Sequence, residues 1–140
     1  MAACGGIGRA LAAGLSQLDL HIAGMRVAGG VLMLGGAALN IAPKQRFRRA
    51  GTTVNPLRPQ SSSVLVQSGL HARSRNPMYL GHATLLFGVA LLLGNTAAFT
   101  AMPLYVAWAT RFQIVPEERA LRAKFGAAYI DYCRRVRRWL

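Results

Sequence analysis

The sequence predicts an all-α fold, a multi-pass bundle of membrane-spanning helices closed by a C-terminal amphipathic helix, and three observations predict it. Hydrophobic residues make up 53% of the 140-residue chain against 15% charged, at a mean hydropathy of +0.29, which exceeds what a soluble domain carries. Three apolar segments approach the ~20 residues needed to cross a hydrocarbon core. Finally, 15 of the 17 Lys and Arg residues fall in two segments, Lys44 to Arg75 and Arg111 to Arg138, that flank the apolar ones. At this length the chain forms one domain.

The first 21 residues read as a weak or incomplete first helix, because Ser16, Gln17 and Asp19 interrupt the Leu/Ala/Gly run. Residues 22–42 form the first convincing span, with Arg26 and Asn40 near its ends as the strongly polar side chains. Its glycines, Gly24, Gly29, Gly30, Gly35 and Gly36, would weaken a helix in water but let helices approach closely in lipid, so packing is preferred to a phosphate loop. Pro43 is expected to end this span. A cytoplasmic loop over 43–77 follows, rich in Arg, Pro and Ser, in which Val64-Leu65-Val66 is a short apolar patch suited to the membrane interface.

An apolar hairpin is expected next, with arms over 78–93 and 97–114 and a turn at Gly94-Asn95-Thr96. Neither arm has the charged face of a soluble amphipathic helix; His82 and Thr84 are the main polar positions of the first. Since the turn carries no basic residue, both basic segments are expected on the cytoplasmic side. Three spans put the N-terminus outside, and a fourth over the N-terminal segment puts it inside. Residues 116–138 complete the chain as an amphipathic helix: Leu121, Phe125, Ala128, Tyr129, Tyr132 and Val136 recur at spacings of three and four. The Arg134-Arg135-Val136-Arg137-Arg138-Trp139 cluster suits anionic lipid headgroups.

Two polar groups at the hairpin's ends carry the functional reading. Glu117 and Glu118 are half of the chain's four acids, set at a helix start in a cationic neighbourhood. A helix N-terminus alone favours such anions by ~0.3–1 kcal/mol, and a receptor for a ligand ammonium is the sharper alternative. At the other end Arg75 precedes Asn76 and Pro77, so its guanidinium lies beside the free amides of a helix start and suits a carboxylate. Tyr79, further into that helix, offers a ring face to a cation or an adenine. His21, His71 and His82 lack metal-ligand spacing, and Cys4 and Cys133 stand far apart, so no metal site is expected. Of the three histidines, His82 stands inside the hairpin, where a hydrogen bond to another helix is its plain role.

These motifs resemble those of the membrane-embedded methyltransferases related to isoprenylcysteine carboxyl methyltransferase and the phospholipid methyltransferases. The family pattern Gly-x-Tyr-x-x-x-Arg-His/Asn-Pro-x-Tyr-x-Gly is matched by Gly69-Leu70-His71-Ala72-Arg73-Ser74-Arg75-Asn76-Pro77-Met78-Tyr79-Leu80-Gly81, with Leu70-His71 in place of Pro-Tyr. The pattern Glu-Glu-x-x-Leu-x-x-x-Phe-Gly-x-x-Tyr-x-x-Tyr is matched without a gap from Glu117 to Tyr132. The resemblance implies S-adenosylmethionine as methyl donor, held in a cytoplasm-facing pocket by Gly69, Arg75, Asn76, Pro77 and Tyr79 on one side and Glu117 and Glu118 on the other. It further implies a lipophilic or lipid-linked acceptor, an isoprenylcysteine-like carboxylate or another small thiol or carboxylate. No general base is identified. Homo-oligomer formation stays open.

Three other readings compete. Phospholipid or amine N-methylation belongs to the same wider group. A nicotinamide-dependent membrane reductase of related architecture lacks a reason for the Glu-Glu segment. A non-enzymatic lipid-binding scaffold would place all function in the basic tail. Nucleic acid is not an expected partner, because the basic residues alternate with apolar segments instead of lining a soluble domain.

Overall fold

The computed structural model describes residues 24–49 and 64–140. The expected N-terminal helix and residues 50–63 of the expected 43–77 loop lie outside these residues. All described elements are helical, and the one β-bridge among them joins Ser74 to Arg137.

The first helix, α1, spans Met25–Arg49. It does not end at Pro43, as the sequence pattern suggested, but continues to Arg49 with Pro43 fully buried inside it. Proline removes one backbone donor and crowds the preceding turn, and here packing of the ring compensates.

The second helix, α2, spans Pro77–Leu93, one residue earlier than expected. Pro77 occupies its first turn, where the missing N–H has no intrahelical partner to lose. Gly94 ends it in the left-handed conformation at φ +63°, donating its N–H to Ala90 O at 3.0 Å.

Helices α1 and α2 lie against each other through glycines spaced seven residues apart on each. A Cβ added at Gly29 would fall 2.8 Å from Gly88 O, and one at Gly36 would fall 2.7 Å from Gly81 O. The pairing of 29 with 88 and 36 with 81 shows that the helices run antiparallel. Added Cβ atoms at Gly24, Gly30 and Gly35 would meet nothing within 4 Å, so two of the five glycines serve this contact. One turn beyond Gly36, the Asn40 amide donates to Met78 O at 3.4 Å and lies 3.0 Å from His82 Nε2. His82 thus takes the interhelical role expected of it.

The return arm starts as a 3-10 helix, Thr96–Thr100, opened by Asn95, whose side chain accepts from Ala97 N at 2.9 Å. It continues as α3, Ala101–Ala109, then as a π turn, Thr110–Ile114, and then as α4, Val115–Phe125. The expected break at Ile114 is absent. In the π turn the Val115 N–H donates to Thr110 O, five residues back.

The expected single amphipathic helix over 116–138 is in fact two. Gly126, at φ +52° and ψ −124°, separates α4 from α5, Ala127–Arg135, in a conformation that L side chains avoid. Beyond α5, Val136 is extended and Arg137 bridges to Ser74. Tyr129, Tyr132 and Val136 form a buried cluster, against which Leu65, Leu121, Phe125 and Cys133 pack. Of the Val64-Leu65-Val66 patch, Leu65 thus packs partly against protein while Val64 stays exposed.

Candidate functional site

The connection 64–76, the start of α2, the start of α4 and the chain after α5 converge on one polar cluster. The approach from the N-terminal side is a short 3-10 helix, Gly69–Ala72, in which Gly69 adopts φ +66°. Its glycine identity is thus explained by backbone conformation. Tyr132 holds this segment in place, donating from its buried hydroxyl to His71 O at 2.7 Å. Burial raises the Tyr132 phenol to about 12, with the Arg75 charge opposing the shift.

After that turn Ser74 and Arg75 run beside the C-terminal segment. Arg75 N donates to Arg137 O at 3.0 Å, and the Asn76 amide donates to Arg138 O at 3.0 Å. Asn76 stands at the N-cap of α2, but its side chain makes no cap hydrogen bond there. It is occupied with the C-terminal backbone instead, so it serves to close the chain on itself.

The two glutamates, adjacent in sequence, have different surroundings. Glu118 receives two guanidinium groups: Arg75 Nη1 lies 3.2 Å from Oε1, while Arg138 donates from Nε to Oε1 at 3.0 Å and from Nη2 to Oε2 at 2.7 Å. The Arg75 and Glu118 side chains are only 14% and 16% exposed. This is a shielded pair, unlike the surface pair Arg134–Asp131, at 77% and 64%, which contributes little. The Glu118 carboxylate in turn holds the Arg138 guanidinium above its ordinary range. Arg75 Nη1 also lies 2.6 Å from Cys133 Sγ, and Arg75 Nε is buried without a hydrogen-bond partner.

Glu117 accepts one hydrogen bond, from Tyr79 Oη at 3.3 Å, and among the described residues no cation pairs with it. Burial raises its carboxyl above the ordinary carboxylate range; the Tyr79 hydrogen bond works against this shift and the Glu118 charge adds to it.

Of the residues singled out from sequence, Arg75, Asn76, Tyr79, Glu117 and Glu118 come together through these bonds, and Pro77 is buried at the head of α2. Gly69 has a conformational place one segment earlier. Sequence reasoning missed Arg138, whose position beside Glu118 depends on the pairing of the C-terminal segment with residues 74–76. It also missed Ser74 and Cys133. Within the basic tail, Arg138 makes a bidentate bond with Glu118, and Arg135 donates to Gln67 Oε1 at 2.8 Å.

Comparison with known proteins adds three findings. A sequence model of the family described as phospholipid methyltransferase matches residues 25–128, most of the chain. An uncharacterised protein of Haemophilus influenzae is 40% identical over 63 residues, 45% of this chain and 100% of that protein. The protein-S-isoprenylcysteine O-methyltransferase of Saccharomyces cerevisiae is 35% identical over 80 residues, 55% of this chain, and the match spans only 32% of that enzyme. No solved structure matches.

Proposed function

The chain belongs to the phospholipid methyltransferase family, and from that premise we propose that it transfers the methyl group of S-adenosylmethionine to a lipophilic acceptor at the cytoplasmic face of a membrane. One observation carries the proposal: the two segments bearing family motifs meet, with Arg75 on Glu118 at 3.2 Å and Tyr79 on Glu117 at 3.3 Å.

The donor set suits the amino-acid part of that cofactor. Glu117 is a buried carboxylate without a cationic partner among the described residues, which fits an ammonium group. Arg75 carries a buried Nε without a hydrogen-bond partner, which fits a carboxylate. Asn76 and Pro77 hold the start of α2 against this cluster. The bound cofactor supplies a methyl group already activated by its sulfonium, so the protein's main task is alignment. Ideal alignment contributes ~7–11 kcal/mol. Where the acceptor is a carboxylate or thiolate, exclusion of water by the apolar helices further favours the reaction, because opposite charges are neutralised.

A membrane setting agrees with the surface. Met25–Gln45 is long and apolar enough to cross a bilayer, and Pro77–Leu93 is a shorter apolar helix. Val27, Val31, Leu34 and Ile41 on α1 and Leu104, Trp108 and Phe112 on the return arm are exposed, as lipid-facing side chains would be. In this reading α1, α2 and the return arm cross the membrane, and the Arg75–Glu118 cluster lies on its cytoplasmic side.

The family description and the yeast relative's name point to different acceptors, a phospholipid amine and an isoprenylcysteine carboxylate. Incubation with methyl-labelled cofactor and total lipid extract separates them: label in phosphatidylethanolamine derivatives identifies the amine, and base-labile label identifies a methyl ester. Calorimetric titration of the detergent-purified protein with S-adenosylmethionine tests the proposal itself. Saturable binding that is lost in Glu117→Gln supports it, and no binding by folded protein rejects it.

A further inference from the structure

We propose that Arg138 is a positioning residue, which occupies Glu118 so that the Arg75 guanidinium is left to receive an anion. The inference rests on the cofactor reading above and assigns the anion as the carboxylate of the cofactor's amino-acid part.

The argument begins with charge. Arg75, Arg138 and Glu118 form one connected group, two cations on a single carboxylate, and carry a surplus positive charge that is partly shielded from water. Arg138 takes the greater share of Glu118, with two charge-assisted bonds of 3.0 and 2.7 Å that engage both oxygens. Arg75 reaches one oxygen only, at 3.2 Å, and its buried Nε has no partner. Without the Arg138 side chain, Glu118 Oε2 would lose its cation, and Arg75 could take both oxygens in a fork. The surplus charge would vanish. Arg138 therefore sets whether Arg75 is a closed ion pair or an open anion receptor.

The C-terminal backbone holds Arg138 there independently of its side chain. Arg75 N is bonded to Arg137 O, and the Asn76 amide to Arg138 O. Truncating the side chain leaves both bonds available. The null explanation, a basic tail acting on lipid through net charge, does not distinguish Arg138 from the exposed Arg134.

The test compares S-adenosylmethionine with its decarboxylated form, which lacks the carboxylate, by calorimetry on detergent-purified protein. Wild type is expected to favour the carboxylate-bearing form by roughly tenfold to a hundredfold, the equivalent of one charged hydrogen-bonding contact. Arg138→Ala is expected to lose most of this ratio while binding the decarboxylated form within about threefold of wild type, and Arg134→Ala to keep the ratio. Arg138→Lys, which retains the charge but not the fork, is expected to fall between them and serves if Arg138→Ala does not fold. An unchanged ratio in a folded Arg138 variant, or equal weakening of both ligands, overturns the inference. Failure of wild type to bind either ligand instead rejects the cofactor reading beneath it.

Discussion

Gly36→Ala tests the helix contact on which the rest of the structure depends. The new Cβ would lie 2.7 Å from Gly81 O and 2.9 Å from both Leu85 N and Leu85 Cγ, against an ordinary contact distance of at least 3.4 Å. Two of these three neighbours are backbone atoms, so rotamer changes cannot relieve the clash. Helices α1 and α2 must separate by about 0.7 Å, the difference between the ordinary and the observed distance. Asn40 donates to Met78 O at 3.4 Å one turn away, and the same displacement takes that bond out of range. Overpacking of this kind costs ~1–3 kcal/mol. Gly35→Ala is the matched control, since its Cβ meets nothing and alanine favours the helix by up to ~1 kcal/mol. That gain is common to both substitutions and cancels, so the two variants are expected to differ by the overpacking cost of ~1–3 kcal/mol. Denaturant titration in detergent micelles, followed by far-ultraviolet circular dichroism, measures the difference. Equal stability of the two would refute the close approach of Gly36 to Gly81.

Three further outcomes follow from the site. Burial raises the Glu117 carboxyl, so the fold favours its protonated form; that contribution to stability is present below the ordinary carboxylate range and is lost as pH rises through the raised value. Cation binding follows the opposite course, so calorimetry as pH rises above the ordinary carboxylate range should show binding by the wild type strengthen, and a pH-independent affinity would refute the assignment. Tyr132→Phe removes a buried hydrogen bond to His71 O and leaves that carbonyl without it, with an expected cost of ~1–3 kcal/mol in the same denaturant assay. Gly126→Ala forces an L side chain into φ +52°, ψ −124° and should cost ~1–3 kcal/mol, although its Cβ meets no neighbour; a neutral result would show that α4 and α5 can join without this backbone conformation.

The hairpin, its turn and the two polar motifs at its ends are legible in the sequence because they depend on local signals: apolar length, Gly94-Asn95, and two acids among basic residues. The course of α1 past Pro43 is not, since tertiary packing outweighs the local penalty of proline. The two faces of α1 were equally hidden: Gly29 and Gly36 touch α2 whereas Gly30 and Gly35 do not, and only the partner helix distinguishes them. At the site, sequence treats Glu117 and Glu118 as one dipeptide with one task. Folding separates them, because consecutive helical side chains point about 100° apart, one toward Tyr79 and the other toward Arg75 and Arg138. Arg138 itself carries no local mark beside Arg134, Arg135 and Arg137, and its place depends on the long-range pairing of the C-terminal segment with residues 74–76.

The π turn at Thr110–Ile114 makes the return arm sensitive to counting. Each residue in a helix advances the azimuth by ~100°, and the wide turn resets this phase between the outward side chains Leu104 and Trp108 and the inward-facing Glu117 and Glu118. A substitution within the apolar part of the arm that keeps its hydrophobicity alters the outer surface and leaves that phase intact. A single-residue insertion or deletion there hardly changes the length of the apolar stretch, yet swings both carboxylates around the helix axis, away from Tyr79 and Arg75. Along this arm the number of residues is under a stricter constraint than their identity.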